Sequence, residues 1–444
     1  MKKIKFQTPT GMHDVLPADQ RYFKKIYDTA ESIANFYGFE KIDTPIVEMA
    51  ELFSRGIGLT TDIVEKEMYV LKTKGGDILA LRPEGTAPVV RAFIEHGMHS
   101  LPQPVKLWYF GPYFRHEKPQ ADRYRQFWQF GFEIFGEKSP AVEAQIIQVF
   151  YDILTELKFK DLVIEVNSIG DNQCRPYYKK LLVNYLRSRE SSLCTDCRRR
   201  IKMNPLRILD CKEEKCQRIK AQAPQIIDHL CEECHNHFKE VLEFLDEMGL
   251  PYRLNPYLVR GLDYYTRTVF EIFSSEEIEV SKDDSVKNEE TNEEEKITRN
   301  ALVGGGRYDV LVKLLGGKDI PGCGGGAGIE RIVKMMKAKD IRLPQPSKPV
   351  IFLAQIGASA KRKSLKFFEE FRKAKIGTAE SFSKDSLKTQ LRIADKIGVQ
   401  YTLIIGQKET LEGTVIIRDM KIGKQETVKA EKMIEEVKKR LKND

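Results

Sequence analysis

Residues 258–271, LVRGLDYYTRTVFE, combine two arginines, an aspartate and two adjacent tyrosines with β-branched and aromatic residues that favour strands. We interpret the segment as a strand. Arg260 and Asp263 are costly to bury there unless a partner or a ligand pairs with them. A buried cation beside two phenol hydroxyls forms the floor of a pocket for a small anionic or polar ligand. Taken alone, the segment fits an edge strand with solvated charges equally well.

Arginine recurs in or beside other predicted strands and at the start of a glycine-preceded helix: Arg115, Arg123, Arg125, Arg260 and Arg331. Its planar guanidinium donates two aligned hydrogen bonds, which suits phosphate. Several arginines among antiparallel strands therefore indicate a bound triphosphate or phosphoanhydride. The sequence has no G-x-x-x-x-G-K-[ST] motif, which excludes a P-loop enzyme. The glycine-rich run 322–327 follows Ile-Pro rather than a strand, so we reject a dinucleotide site.

Glu84, Gln129 and Glu133 offer hydrogen-bond acceptors for a cationic group. Two carboxylates and an amide near several arginines suit a zwitterion such as an amino acid. For any one of them alone, the alternative is a surface ion pair, which contributes about 0–1 kcal/mol.

The length of 444 residues is enough for two or three domains. A hydrophobic content of 41% and a charged content of 31% are typical of an ordinary globular protein. No run of about 18 apolar residues is present, so we expect no membrane partner. Residues 1–17 are basic but lack an apolar stretch, which argues against a secretory signal and predicts a cytoplasmic protein.

The end of the chain carries more positive charge than the net +8 of the whole sequence. Residues 348–444 carry 22 Lys and Arg against 13 Asp and Glu. A basic terminal domain favours a polyanionic partner such as nucleic acid. A lysine-rich solvated surface is the alternative.

Strand-like segments with helices to one side predict an α+β fold before residue 339, with 105–114 and 125–135 as successive strands. Residues 174–247 are charged and mostly helical, which indicates an inserted module. The acidic stretch 274–300 predicts a flexible loop between two strands, and the glycine-rich run 322–328 the start of a helix.

Three prolines within residues 340–349 indicate a stiff linker. Beyond it, strands and helices alternate, with a strand pair expected around Gly413. That alternation predicts a small α/β domain.

Five segments, in order, resemble the motifs of class II aminoacyl-tRNA synthetases, specifically those of the histidyl-tRNA synthetases. FYGFEKIDTPIVE resembles motif 1, which forms the dimer interface in this class. LRPEGTAPVVRAF and LWYFGPYFRHEKPQADRYRQFWQFGFEIFG resemble motif 2 and its lead-in, and GAGIERIV resembles motif 3. LVRGLDYYTRTVFE and ALVGGGRYDVL are similar to the two histidine-specific signatures.

The resemblance implies a class II antiparallel sheet flanked by helices, a helical insertion and a C-terminal α/β anticodon-binding domain. The catalytic domain is expected in two pieces, 1–173 and 248–338, with the insertion 174–247 between them. A linker, 339–348, leads to the anticodon-binding domain, 349–444.

The resemblance also implies roles for the arginines. Arg115 is similar to the motif 2 arginine that grips the ATP α-phosphate and the attacking carboxylate, and Arg331 to the motif 3 arginine on the γ-phosphate. Arg260 resembles an arginine that stands where other members of the class use a catalytic metal. Arg123 is expected on the ATP phosphates. ATP is then a substrate, with Mg²⁺ bridging its β- and γ-phosphates and no metal ligated by the active site.

Histidine binding is implied for a second set of residues. The residues expected at the α-amino group are Glu84, Gly85, Thr86 and Gln129. Those expected at the imidazole are Glu133, Tyr264 and Tyr265, and Tyr308 is expected to line the pocket. The loop 117–124 resembles the one that meets the tRNA acceptor end, with Gln120 as a candidate base contact.

The implied function is a homodimeric histidine–tRNA ligase that forms histidyl-adenylate from L-histidine and ATP, then transfers histidine to the 3′ end of its cognate tRNA. The chief alternative is a synthetase-like regulatory subunit of ATP phosphoribosyltransferase. Such subunits lack the anticodon domain and active-site residues, whereas this chain has Arg115, Arg260 and Arg331. A module that binds uncharged tRNA beside a kinase is a third possibility, but no kinase sequence is present.

Six of the eight cysteines cluster as Cys194-x2-Cys197, Cys211-x4-Cys216 and Cys231-x2-Cys234. Two C-x2-C pairs at this separation are typical of a zinc site. The family resemblance, by contrast, implies no metal in the insertion, so structural zinc stays open. Cys174 and Cys323 are predicted to be packed thiols.

Overall fold

A computed structural model describes residues 6–58, 61–118, 123–274, 301–341, 343–344 and 348–443. The chain divides into two compact units, Met1–Arg342 and Leu343–Asp444, and the division falls within the predicted linker. Gln120 and nearly all of the acidic stretch lie outside the described residues. Among the helices described, none has the length and apolar character needed to cross a membrane.

The first unit contains both helices and strands. Its helices are α1 (Pro17–Tyr37), α2 (Ala50–Ile57), α3 (Thr86–Glu95), α4 (Ala141–Glu156), α5 (Arg175–Arg187), α6 (Thr195–Met203), α7 (Glu214–Lys220), α8 (Glu232–Glu247), α9 (Leu311–Leu314) and α10 (Ile329–Ala338). Its strands are β1 (Glu40–Lys41), β2 (Val47–Met49), β3 (Val70–Lys72), β4 (Ile78–Leu81), β5 (Val105–Phe114), β6 (Gln126–Phe135), β7 (Leu162–Ser168), β8 (Tyr252–Leu254), β9 (Thr266–Ser274), β10 (Val303–Arg307) and β11 (Gly322–Gly328).

An eight-stranded sheet in the order β1-β5-β6-β11-β10-β9-β7-β8 organises this unit. Its neighbours run antiparallel from β5 to β7, and only the two outermost pairs are parallel. Phe150 of α4 packs against Phe130 and Phe132 behind the sheet. A smaller sheet, β2-β4-β3, lies apart from it. The predicted α+β class is confirmed.

The glycine-rich run before α10 is a strand, so the expectation of a helix start there was wrong. β11 pairs with β6 on one side and with β10 on the other, without a register shift in either pair. Side chains at some positions of β11 and β10 would collide with neighbouring strands: a Cβ on Gly324 would lie 2.5 Å from the carbonyl oxygen of Phe132, and one on Gly305 would meet the carbonyl of Gly324. Glycine is used here because the strands approach closely.

The proposed strand 258–271 is only partly a strand, because β9 begins at Thr266. Residues 258–260 have no regular structure, and 261–264 form a bend and a turn. The amide of Asp263 donates to the carbonyl of Ile57 at the end of α2 (3.0 Å) rather than to a neighbouring strand. Tertiary contact therefore overrides the strand preference of this segment.

The second unit contains five strands in the order β13-β12-β14-β15-β16. They are β12 (Ile351–Gln355), β13 (Thr378–Glu380), β14 (Tyr401–Ile405), β15 (Thr414–Asp419) and β16 (Gln425–Lys429). The helices are α11 (Ala358–Lys373), α12 (Leu387–Ile397), α13 (Gln407–Glu412) and α14 (Met433–Asn443). The predicted α/β alternation is present. The strand pair turns at Gly423 rather than at Gly413, which ends α13 in a left-handed conformation (φ +66°).

A buried ion pair ties the sheet to two helices. Arg307 at the end of β10 donates to Glu143 of α4 from Nε (2.7 Å) and from Nη2 (2.5 Å). Both side chains are at most 1% exposed. His237 of α8 lies 2.5 Å from the same carboxylate. Burial raises the pKa of Glu143, but the hydrogen bond and charge of Arg307 outweigh it and hold that pKa below its usual value.

Removing the Glu143 carboxylate should strongly destabilise the first unit, because Arg307 would be left charged and buried. We expect Glu143→Ala to lower the free energy of unfolding by about 3–5 kcal/mol. Both tryptophans, Trp108 and Trp128, lie in this sheet, so tryptophan fluorescence during urea denaturation reports on it. Glu243→Ala, which removes an exposed partner of Lys239, is the control. Equal urea midpoints for the two variants would contradict this assignment.

Candidate active site

One face of the sheet forms a floor that is open above Gly326 and Gly328 of β11, whereas Arg260 covers Gly304 of β10 on the same face. Gln129, Gly131 and Glu133 project to this face because side chains alternate along a strand. Gly131 pairs with Tyr109 and with Gly326, while Gln129 pairs with Gly328. Above Gly326 the nearest atoms to an added Cβ are 3.7 Å away, and above Gly328 nothing lies within 4 Å. Gly326 and Gly328 thus leave room for a ligand, whereas the carboxylate of Glu133 itself fills the space above Gly324, its partner in the sheet.

Glu84 is placed at one side of this floor by the start of α3. Its carboxylate accepts hydrogen bonds from the amides of Thr86 (2.7 Å) and Ala87 (2.8 Å), which are otherwise unpaired at a helix N-terminus. The hydroxyl of Tyr264 donates to the same group at 3.3 Å. Burial raises the pKa of Glu84 above its usual value despite these donors.

Glu133 is fully buried at the centre of the site. Its carboxylate accepts hydrogen bonds from three hydroxyls: Thr86 at 2.7 Å, Tyr109 at 3.3 Å, and Tyr308. Burial raises the pKa of Glu133 to about 8, because these donors are neutral and offset only part of the lost hydration. The group can therefore exchange a proton near neutral pH.

Three buried tyrosine rings pack together beside the two carboxyls. The ring centroids of Tyr264 and Tyr265 are 4.7 Å apart, and that of Tyr308 is 5.7 Å from Tyr264. The guanidinium of Arg260 lies 6.0 Å from the ring of Tyr265 and pairs with Glu271. Arg260 also covers Gly304 of β10, where any Cβ would collide with it. The structure therefore brings an arginine, tyrosines and carboxyls together.

Arg115 lies next to this group. Its Nε donates to the carbonyl of Pro83, the residue before Glu84, at 2.9 Å, and its guanidinium stacks 5.3 Å from the ring of Phe127. Gly85 is fixed as glycine because the ring of Tyr109 fills the place of a Cβ.

The remaining predicted residues lie outside these strands or outside the described part of the chain. Arg331 is in the first turn of α10, close after Gly328, and donates to the carbonyl of Ala301. Arg123 is half-exposed and pairs with Glu117 at 3.0 Å. Gln120 is not among the described residues.

Tyr109 was missed by the sequence reasoning although it contacts Glu133. The signal was available once 105–114 and 126–135 are aligned as a hairpin, because Tyr109 then faces Gly131. A large ring opposite a glycine is a sign of close packing across strands.

One cavity in this unit, of about 230 Å³, adjoins Arg260 and is lined by Asp263 together with three cationic side chains from the insertion: Arg175, Lys179 and Arg207. This lining suits an anionic ligand and was not predicted, because it comes from helices distant in sequence. A larger cavity, about 660 Å³, lies between α1 and the strands around Phe110 and Trp128. None of the predicted site residues lines it.

Comparison with known families identifies this arrangement. A family model described as histidyl-tRNA synthetase matches residues 11–332. The chain belongs to the histidyl-tRNA synthetase family. A second model, described as an anticodon binding domain, matches residues 350–440. Histidyl-tRNA synthetase motifs and a separate anticodon module thus occur in one chain, as the five sequence motifs indicate.

Relatives in this family match almost the whole chain. A histidine–tRNA ligase from Halothermothrix orenii is 43% identical over 98% of this chain and 99% of its own length. One from Aquifex aeolicus is 43% identical over 96% and 99%. The crystal structure of apo histidyl-tRNA synthetase from S. aureus is 32% identical, with a TM-score of 0.76, and covers 97% of this chain and 99% of that one. These matches favour the ligase over the regulatory-subunit alternative.

The raised pKa of Glu133 predicts how the free energy of unfolding depends on pH. A carboxyl whose pKa is raised on folding binds more protons in the folded state than in the unfolded state. Its contribution to the free energy of unfolding is therefore fully present below pH 4.5 and is lost as the pH rises through about 8. Glu133→Gln removes this contribution, and the raised pKa of Glu84 leaves part of the pH dependence in place.

Thermal midpoints measured from about pH 5 to about pH 9 test this. We expect the wild-type midpoint to fall more steeply with pH than that of Glu133→Gln. Glu243→Gln, an exposed carboxyl in α8, should follow the wild type. Parallel curves for Glu133→Gln and the wild type would show that Glu133 titrates normally.

Proposed function

We propose that the pocket around Glu84, Glu133 and Arg260 is where this chain, an ATP-dependent histidine–tRNA ligase, activates L-histidine. One observation carries the proposal. Two buried carboxyls face a glycine floor, and every described hydrogen bond to them comes from an amide or a hydroxyl rather than from a cation. A ligand with an ammonium group and an imidazole supplies the missing donors.

Histidine recognition divides between the two carboxyls. Glu84, with Thr86 and Gln129, binds the α-ammonium group beside the N-terminus of α3. Glu133 accepts a hydrogen bond from the imidazole, and the tyrosine hydroxyls beside it complete the contacts to the ring. Substrates that lack these donors leave buried polar groups unpaired, which is a strong basis for rejection.

Adenylation requires charge neutralisation more than a base. The histidine carboxylate oxygen attacks the α-phosphorus of ATP, the bond to the β-phosphate oxygen breaks, and pyrophosphate leaves with the electron pair. Arg115 and Arg260 stabilise the charge that develops at the α-phosphate. Arg331 and Arg123 hold the outer phosphates, and Mg²⁺ arrives with ATP, bound largely by phosphate oxygens and water.

Transfer follows when a hydroxyl at the tRNA 3′ end attacks the carbonyl carbon of histidyl-adenylate and AMP leaves. The cationic cavity beside Arg260 is suited to a polyanion. The loop that contains Gln120 is assigned to the tRNA acceptor end by its resemblance to the motif 2 loop. The second unit, with its excess of basic residues, supplies the anticodon contact. An enzyme with this substrate acts where tRNA is used, which we take to be the cytoplasm.

ATP–pyrophosphate exchange with each of the twenty standard amino acids tests the function. We expect exchange with histidine alone. Exchange with another amino acid, or with none when the protein is folded, would overturn the proposal.

Variants of Arg260 test the assigned chemistry. We expect Arg260→Gln to lower the exchange rate constant about 10²–10³-fold, as for loss of one transition-state donor. Because that change strands Glu271, the double variant Arg260→Gln, Glu271→Gln is measured beside it, with Glu271→Gln as the single control. We expect the double variant to lose as much rate as Arg260→Gln. Recovery of the rate in the double variant would show that Arg260 matters only as a partner of Glu271.

We also propose a homodimer, supported by the small sheet that follows motif 1. Apolar side chains there are unusually exposed: Met49 by 51%, Val70 by 53% and Ile78 by 54%. A sheet with this much exposed apolar surface is typical of an interface.

Light scattering after size exclusion tests the dimer. We expect the wild type to have the mass of a dimer, and Val70→Glu, Ile78→Glu to shift it to a monomer because charges would be buried. Leu411→Glu, which replaces an 81% exposed leucine in α13, should stay dimeric. A monomeric wild type would contradict the proposal.

A further inference from the structure

The cysteines of the insertion form two separate groups. In the first, the sulfur atoms of Cys194, Cys197, Cys211 and Cys216 all lie within 4.8 Å of one another. The two C-x2-C pairs do not meet, contrary to their spacing in the sequence. Cys231 and Cys234 instead belong to the second group.

The spacing within the first group fits one tetrahedral metal ion. Zinc–sulfur bonds are about 2.3 Å long, so four sulfurs around one zinc lie about 3.8 Å apart. The sulfurs of Cys194 and Cys211 are 3.9 Å apart. A disulfide needs about 2.05 Å, so the group is not arranged as two bonded pairs.

Backbone amides support thiolates at these positions. Cys194 precedes α6, and its sulfur accepts a hydrogen bond from the amide of Cys197 at 3.4 Å. The sulfur of Cys216 accepts one from the amide of Cys194 at 3.3 Å. A helix N-terminus and N–H donors both favour the negative sulfur that a metal requires.

The helices that carry these cysteines have little other core. In α7 the one buried residue is Cys216, and in α6 only Cys197 and Ile201 are buried. The cysteines of these two helices pack into a core to which α5 contributes Tyr178, Leu182 and Leu186. A metal ion would add a direct link between α6 and α7 to that packing.

The second group repeats the arrangement at the next helix. Cys231 precedes α8 with φ −68° and ψ 161°, the same values as Cys194 before α6. Its partners within 4.8 Å are Cys234, Cys174 and Asp171. Oδ1 of Asp171 lies 3.7 Å from the sulfur of Cys174, and zinc bound to one oxygen and one sulfur places these atoms about 3.6 Å apart.

We propose that each group binds one structural zinc ion: Cys194, Cys197, Cys211 and Cys216 in the first, and Asp171, Cys174, Cys231 and Cys234 in the second. Thiolate-rich tetrahedral sites select zinc over magnesium, calcium or manganese. Neither ion takes part in adenylation.

The second ion would also position the histidine pocket. Arg175, the residue after Cys174, donates to the carbonyl of Tyr265 at 2.7 Å and to that of Gly170 at 2.8 Å. Gly170 is fixed beside the metal group, because a Cβ there would lie 2.5 Å from the sulfur of Cys174. The ion therefore fixes the turn that holds Tyr265.

Metal analysis of the purified full chain after exposure to a mild chelator tests the proposal. We expect two zinc ions per chain. Cys197→Ser, Cys216→Ser should lose one, Cys231→Ser, Cys234→Ser the other, and Cys323→Ala, outside both groups, neither. Zinc-free protein would overturn the proposal, as would iron in its place or unchanged zinc content in the serine variants.

A second measurement on the wild type avoids the risk that the serine variants misfold. Titration with a mercurial that blocks thiols should release zinc in step with thiol modification, two ions per chain. Cobalt in place of zinc should give the intense visible absorption of tetrahedral thiolate coordination. Thiols that react without releasing zinc, or that are already oxidised to disulfides, would overturn the proposal.

Discussion

The pocket depends on two carboxyls that are buried without a cationic partner of their own among the described hydrogen bonds. Glu84 and Glu133 are held by amides and hydroxyls, which orient a carboxylate but do not neutralise it. Burial therefore raises the pKa of both carboxyls, that of Glu133 to about 8, so at neutral pH and without a ligand Glu133 holds a proton. A cationic ligand can replace that proton and the lost hydration, so the burial becomes a source of selectivity.

The glycine strands make such a pocket compatible with a packed sheet. At Gly305 and Gly325 the glycines face α4, whose Phe150 approaches within 3.1 Å of a Cβ built on Gly325. At Gly326 and Gly328 they face open space instead. Alternation along one strand therefore separates the two needs: close packing behind the sheet, and an unobstructed floor in front of it.

The sequence predicted the elements that are determined by local residue patterns. The strands 105–114 and 126–135 were placed to within one residue, because long runs of apolar and aromatic residues determine them. It failed where distant partners decide. Residues 261–264 turn, with Asp263 hydrogen-bonded to Ile57, and the cysteines group by position in the fold rather than by spacing in the sequence. Motif resemblance proposes roles for most of the site residues without needing their geometry, and those roles stay predictions. Tyr109 could not be found in this way, because its role is set by glycines elsewhere in the chain.

The insertion lies between two strands that are neighbours in the sheet, which bears on the order of events during synthesis. Ser168 at the end of β7 pairs with Thr268 of β9, so both partners of β7 leave the ribosome only after the insertion. Bringing the two ends together across about 100 flexible residues has an entropic cost that grows with the logarithm of loop length. If the insertion folds first, it reduces the effective length of this loop, because the distance between the two ends of the folded insertion is then fixed. Until then β7 is a nascent strand with two unpaired edges, the state in which a growing chain is most exposed to association with another.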